Sequence, residues 1–323
     1  MHLRPYKTRG SLYMQVFPTV NGKAFDSPAK EGSTLSRMVS ECLFFHGVKE
    51  PPKVIRQARK PSRTGVEPAT ESVDAFFHEL FKRVGLSVEA YRSSALNRRI
   101  PACLRFLRVK DLDAARLKLE ASPELATATA SVVLLGVTEF CRDRSVFDQI
   151  EQSVIPQLAQ LNHPLRIWSA ACSDGRELCS AAIVLNRAKL LQGAELLGTD
   201  CRKDAILQAQ RALFPFESLD KLTPDWKEYF SRDRQGVRIA EHLRRHLRWK
   251  HANLLEQTEP GPWDVILWRN MAIYLEAKTA GHVWLSLINE LAPGGFLISG
   301  RADHPPRHAS LQKVGPCIFQ KNR

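Results

Sequence analysis

The sequence has no apolar run close to the ~20 residues that a membrane-crossing helix needs. Its first residues, MHLRPYKTRGSLYMQVF, carry basic side chains but no apolar core and no small-residue cleavage pattern. No secretory signal is read, so a cytoplasmic protein without membrane insertion is expected. No C-x-x-C pair occurs, and the seven cysteines (Cys42, Cys103, Cys141, Cys172, Cys179, Cys201 and Cys317) are scattered and odd in number. That argues against zinc or redox motifs and predicts reduced, mostly buried thiols with no metal site. Internal repeats are missing as well. Acidic charge is scarce, since 47 Lys and Arg face 34 Asp and Glu for a net charge of +13. Such a balance favours an acidic partner, beside the plainer alternative of a generally basic surface.

What is there is ordinary for a soluble globular chain: 44% hydrophobic and 25% charged residues. The 323 residues are enough for two or three domains. Residues 1–52 read as a small separate unit of unknown role. Within it, LYMQVFPTVNGKAF predicts a strand, an Asn21-Gly22 turn and a second strand, and STLSRMVSECLFFHGV a capped helix. Residues 53–72, rich in Pro, Ser and charge, read as a linker. Residues 73–160 read as an all-helical domain, from VDAFFHELFKRVG through PELATATASVVLLGV to an irregular turn and a last helix ending near QLAQL. Two arginine-rich stretches stand out, ALNRRIPACLRFLR and HLRRHLRWKH. Pro101 makes the first either two helices or one kinked helix.

From residue 161 to 323 strands and helices alternate, which predicts an α/β domain with a doubly wound, mostly parallel sheet. The predicted strands are RIWSAA, AELLGTD, LRWKHANLL, WDVILWRN, PGGFLISG and the tail VGPCIFQKN. Residues 214–246 interrupt the rhythm and read as a small β insertion around GVRIAEH.

The strand–turn–helix RIWSAACSDGRELCSAA leaves three readings open. Ala171-Cys172-Ser173-Asp174-Gly175 is close to the G-x-S-x-G elbow that presents a serine nucleophile. That reading needs a loop histidine and an HGGG-type segment. His282 falls in a predicted helix, only His304 and His308 follow a strand, and no such segment precedes the turn. Alternatively the small residues let backbone amides approach a nucleotide-like cofactor. Asp200 then stands at the end of the next strand, 25 residues after Gly175, near the spacing of roughly 20 at which a carboxylate takes ribose hydroxyls. A tight turn and a helix-capping Asp200 need no ligand at all.

Several motifs in order resemble the CheR-type chemoreceptor glutamate methyltransferases, over roughly residues 73–321. VTEFCRDRSVFDQI resembles that family's T-N-x-T-x-F-F-R-D segment, SAACSDGRE its S-A-G-C-S-T-G-E-E turn, and LGTD its A-T-D strand end. RALFPFESLDKLTPDWKEYF resembles the approach to its small β-subdomain, KHANLL its H-N-L-L, and WDVILWRNMAIYL its F-D-V-I-F-C-R-N-x-x-I-Y-F. The resemblance implies a Rossmann-like methyltransferase domain that binds S-adenosyl-L-methionine. It implies cofactor contacts at Thr138, Arg142, Glu177, Asp200, Asn253, Leu254 and Asn270. It implies Arg142 and Tyr274 at the methyl-transfer site, and a basic helix carrying Arg98, Arg99 and Arg105 that docks an acidic helical protein such as a chemoreceptor cytoplasmic domain.

The chemistry implied is modest. A glutamate is already ionised near pH 7, so the site has to hold it in line with the sulfonium methyl and keep water out. The departures from the family pattern are Gly136, Glu139, Cys141, Arg176, Trp268 and the segment SGRAD. Arg176 brings a cation to the expected cofactor mouth unless it points to solvent, and Glu139 brings an acid that could repel a substrate carboxylate. They keep open a second reading, a catalytically degenerate relative that serves as a partner-binding module. Nucleic-acid methylation is a minor third.

Overall fold

The computed structural model describes residues 2–8, 11–17, 70–134 and 138–323, with side chains from residue 73 onward. The chain divides into two compact units, Met1–Pro51 and Pro52–Arg323. In the first, strands β1 (His2–Thr8) and β2 (Ser11–Phe17) pair antiparallel from Thr8–Ser11 outward. The sequence LYMQVF is thus a strand, but its partner precedes it. The Asn21-Gly22 turn, the strand after it, the capped helix and Gly136 all lie outside the described residues.

The second unit opens with helices. α1 (Thr70–Arg83) buries Val73, Phe76, Phe77, Leu80 and Phe81, the spacing of one apolar helix face. Lys82 and Arg83 sit in its last turn, where cations suit the helix dipole. The arginine-rich stretch forms two short helices, α2 (Ser93–Asn97) and α3 (Ile100–Leu107). Pro101 falls in the first turn of α3, where its missing N–H would be unpaired anyway. α4 (Leu112–Ala121) is capped by Asp111, whose carboxylate accepts from Ala114 N at 2.8 Å. α5 (Leu125–Leu134) follows. α6 (Arg144–Gln149) and α7 (Ile155–Leu158) are joined by a π turn at Ile150–Val154. Pro156 cannot donate to the turn before it, and the wider π turn absorbs that break.

The α/β domain carries a seven-stranded sheet. In chain order its strands are β3 (Arg166–Ala170), β4 (Glu195–Asp200), β8 (Leu247–His251), β9 (Trp263–Trp268), β10 (Leu291–Ser299), β11 (Leu311–Lys313) and β12 (Ile318–Lys321). Across the sheet they run β11-β12-β10-β9-β3-β4-β8. The five from β10 to β8 are parallel, and β12 returns antiparallel beside β10. β9 is buried at every residue, as a central strand covered on both faces requires. Helices α8 (Arg176–Arg187), α9 (Lys203–Arg211) and α12 (Ala277–Glu290) make the crossovers. α8 stops at Arg187, because Lys189 turns left-handed at φ 62° and Leu190 N donates back to Leu185 O. β8 ends early. Asn253 closes a turn there, accepting from Leu255 N and donating to Glu256.

The insertion holds three antiparallel strands, β5 (Leu213–Phe214), β6 (Phe230–Asp233) and β7 (Gly236–Ile239), in the order β5-β7-β6, with short helices α10 (Pro224–Lys227) and α11 (Glu241–Arg244). Its Phe214, Trp226, Val237 and Ile239 belong to the same buried cluster as Phe140 and Phe147 and the inner face of α8. The insertion is therefore packed onto the segment that begins at Thr138.

Candidate active site

The order of the sheet reverses between β3 and β9, and ligands in such sheets sit beyond the strand ends at that point. Both strand ends carry unusual backbone. After β3, Ala171, Ser173 and Gly175 all have positive φ, at 57°, 53° and 87°. After β9, Asn270 does too, at 58°. Strained non-glycine residues of this kind persist where the surroundings over-determine them. Here Cys172 N donates to Thr199 O at 2.8 Å and Ser173 N to Asp200 Oδ2 at 2.8 Å, which locks the turn to β4. Gly175 is required twice: by its φ, and because a Cβ there would stand 2.4 Å from the Trp249 indole. The same indole excludes a Cβ from Gly198, at 2.5 Å.

A cleft of about 740 Å³, partly open to solvent, lies against these strand ends. Its charged lining is balanced, with Arg142, Arg202 and Arg269 against Glu139, Glu177 and Asp200. Asp200 is buried, and beyond the Ser173 amide its Oδ1 accepts from Arg202 N at 2.9 Å and Arg202 Nε at 3.2 Å. A carboxylate offers about four acceptor positions, so one remains. Arg202 is buried as well and donates to Ser173 Oγ at 2.8 Å. That bond also disposes of the serine elbow, since there is no histidine among the described residues that line the cleft. Glu177 accepts from Ser169 Oγ at 2.9 Å and from Arg269 at 3.2 Å. Arg269, with its side chain 1% exposed, also binds Asp143 at 3.0 Å and the Arg142 carbonyl at 2.6 Å.

Of the residues singled out in the sequence, Thr138, Arg142, Glu177, Asp200, Asn270 and Tyr274 line this one cleft. Asn253 and Leu254 line an adjoining recess of about 320 Å³ that shares Tyr91, Ala171, Asp200, Cys201 and Met271 with it. The three docking arginines separate. Arg98 and Arg105 are exposed, whereas Arg99 is half-buried and lines a third recess with Leu96, Met271 and Tyr274. Arg98 and Arg99 precede α3 and Arg105 ends it, so the expected single basic helix is split at Arg99-Ile100.

The departures have structural partners. Arg176 is not among the cleft-lining residues, nor does it point to solvent. Its side chain is 15% exposed, pairs with Asp174 at 3.2 Å, and donates to Thr138 O at 2.8 Å and Ser218 Oγ at 3.2 Å. Glu139 pairs with Lys221 at 2.7 Å, so its charge is offset. Trp268 packs edge-on against Trp284 at 4.2 Å. Within SGRAD, Asp303 accepts the backbone N–H groups of Asn270, Ile273 and Gly300 and so holds the loop after β9, while its burial pushes its carboxyl above the ordinary carboxylate value. Sequence reasoning missed Arg202 and Asp303. An arginine two residues after a strand-end aspartate was the available signal for the first.

A family model described as "CheR methyltransferase, SAM binding domain" matches residues 136–317, more than half of the chain. The chain belongs to the CheR methyltransferase family. It is 26% identical over 239 residues to a chemotaxis protein methyltransferase of Listeria innocua, covering 73% of this chain and 91% of that one. It is 27% identical over 251 residues to chemotaxis protein methyltransferase 2 of Pseudomonas aeruginosa, covering 74% and 89%. A probable biofilm formation methyltransferase of Pseudomonas putida, WspC, is 29% identical over 235 residues, covering 71% of this chain and 55% of that one. This CheR-family chain is thus an S-adenosylmethionine-dependent methyltransferase. Its cleft fits the cofactor. The turn after β3 exposes small residues, and Asp200 keeps one acceptor position beside them. No helix among the described residues is long and apolar enough to cross a membrane.

Proposed function

We propose that this methyltransferase esterifies glutamate side chains of a chemoreceptor or related signalling protein in the cytoplasm. The observation that carries the reading is the lack of a free base in the cleft. Among the described lining residues there is no histidine or lysine. Burial pushes the Cys201 thiol up to about 12 and the Cys172 thiol well above its ordinary value. Each lining carboxylate is already paired, Glu139 with Lys221, Glu177 with Arg269 and Asp200 with Arg202. A nucleophile used here has to arrive ionised, and a glutamate carboxylate does.

The cofactor supplies an electrophilic methyl group on a sulfonium. The chain supplies position. Asp200 would hold a ribose hydroxyl, Asn253 and Leu254 would flank the adenine, and Glu177, Thr138 and Asn270 would hold the methionine end. Arg142 would orient the incoming carboxylate, and Tyr274 would wall the transfer site against water. Arg98 and Arg105, exposed on the helical side, and Arg99 nearer the cleft would meet an acidic protein surface. The positive net charge supports that partner. The second reading, a degenerate binding module, gains nothing from the structure, because Arg176 is not among the cleft-lining residues and Glu139, which is, pairs with Lys221.

The test is calorimetric titration with S-adenosylmethionine and S-adenosylhomocysteine, followed by assay of base-labile methyl esters on receptor cytoplasmic fragments. Micromolar binding, lost in Asp200→Ala, together with esters that disappear when the receptor glutamates become alanine, is expected. Cofactor binding with label only on another residue type would overturn the glutamate assignment.

A further inference from the structure

Two departures from the family motif, Glu139 and Arg176, reach the same place. Arg176 joins the carbonyl of Thr138 to the hydroxyl of Ser218, which lies in the short helix Phe216–Leu219 of the insertion. Its guanidinium carbon also stands 5.8 Å from the Phe140 ring centroid and 5.4 Å from that of Phe214. Glu139 pairs with Lys221 of the insertion. Between these polar links, Phe140 meets Phe214 at 4.8 Å and Phe230 at 4.7 Å, both edge-on. In the segment that lines the cleft, Glu139 and Phe140 are therefore held from the insertion directly, and Thr138 through Arg176, which the insertion's Ser218 engages. No side chain of the sheet holds the Thr138 carbonyl; an arginine reaching across from the start of α8 does.

We propose that the insertion positions the cofactor segment, with Arg176 as the principal positioning residue, so that cofactor affinity depends on how the insertion is seated. The proposal rests on the assignment of Thr138 and Arg142 as cofactor contacts. A coupling of this kind is reciprocal: whatever loosens the insertion weakens the cofactor, and cofactor binding stiffens the insertion. The two links differ in weight. The Glu139–Lys221 pair is largely exposed, with Lys221 76% accessible, and such pairs contribute little. Arg176 is mostly buried and makes charge-assisted bonds, which are stronger.

The experiment is titration of the full chain with S-adenosylhomocysteine, beside a thermal melt of every variant. Arg176→Met is expected to weaken binding about tenfold, Ser218→Ala about threefold, and Lys221→Ala less than twofold. The double variant Arg176→Met/Ser218→Ala should bind no worse than Arg176→Met alone, because both remove one link. Arg187→Met is the control. Arg187, the last residue of α8, ties the insertion to the π turn through Asp225 at 2.6 Å and Glu151 at 3.4 Å, and neither ion pair involves residues 138–142. It should lower the melting temperature and leave affinity unchanged. A folded Arg176→Met protein that binds as tightly as the parent overturns the proposal, as does an equal loss in Arg187→Met, which would mean general loosening. If Arg176→Met does not fold, Ser218→Ala, which removes one hydroxyl, carries the test, and unchanged affinity there overturns it. Full affinity in Asp200→Ala would instead sink the cofactor-site assignment.

Discussion

The two walls of the cleft are built on different terms. The turn at Ala171–Gly175 is held through its own amides, Cys172 N donating to the Thr199 carbonyl and Ser173 N to the Asp200 carboxylate of β4, and Gly175 lies under an indole that admits no side chain. The segment at Thr138–Arg142 is held by side chains that come from far along the chain, Arg176, Lys221 and Arg269. Anchoring through amides tolerates sequence change as long as the strand register, the glycine and the Asp200 carboxylate survive. Side-chain anchoring ties each position to a distant partner. The two departures Arg176 and Glu139 both act on the second wall, where each residue answers to a distant partner.

The comparison can be broken from either side. The largest effect is expected for Asp200→Ala, which strips the buried Arg202 of its partner and should lower stability by about 3 kcal/mol as well as abolish cofactor binding. Denaturant titration and calorimetry read the two together. Gly175→Ala should come next, at about 2–3 kcal/mol, because the new methyl group meets Trp249 and the residue must keep φ 87°. Trp249→Leu in the same chain should restore part of that loss, the steric share, and no restoration would mean that φ alone matters. Asp303→Ala leaves the N–H groups of Asn270, Ile273 and Gly300 without this acceptor, for about 2 kcal/mol. Hydrogen exchange at those amides should rise.

The smallest effect concerns neither wall and so serves as a baseline. Partial burial first, then Arg245, Arg248 and His242, push the His246 imidazole below its ordinary value of 6.5. The folded state thus binds this proton less readily than the unfolded chain. Its contribution to stability is present above the unfolded pKa and fades as pH falls through that value toward the folded one. An NMR titration should place His246 below ordinary histidine, and the His246→Asn protein should lose slightly less stability than the parent on mild acidification. Cofactor affinity should not change.

Local pattern carried most of the architecture. β9 announces itself as WDVILW, apolar at every position but Asp264, and the strand–turn–helix at RIWSAACSDGRE is legible from its small residues and Gly175. Asp200 follows from its place at a strand end. Contacts between remote segments were not legible. Nothing near Arg176 says that its partners are Thr138 and Ser218, 38 and 42 residues away. The π turn at Ile150–Val154 was hidden because Pro156 reads equally well as a helix end. β11 has three residues, none buried, too few to show alternation. At residues 98–105 the sequence left two helices or one kinked helix open, and the structure has two, with Pro101 in the first turn of the second and Arg99 half-buried in a recess with Met271 and Tyr274.

The indole of Trp249 imposes an order on change. While it is present, Gly198 cannot take on a side chain, since a Cβ would lie 2.5 Å from the ring. Should a lineage first shorten residue 249, a Cβ at Gly198 keeps one close contact, the Cys172 sulfur at 3.0 Å, and a small side chain comes within reach there. Gly175 stays closed, because its left-handed φ persists without the tryptophan. The three residues form a ratchet in which one substitution opens a single further position and leaves the turn that faces the cofactor as it was.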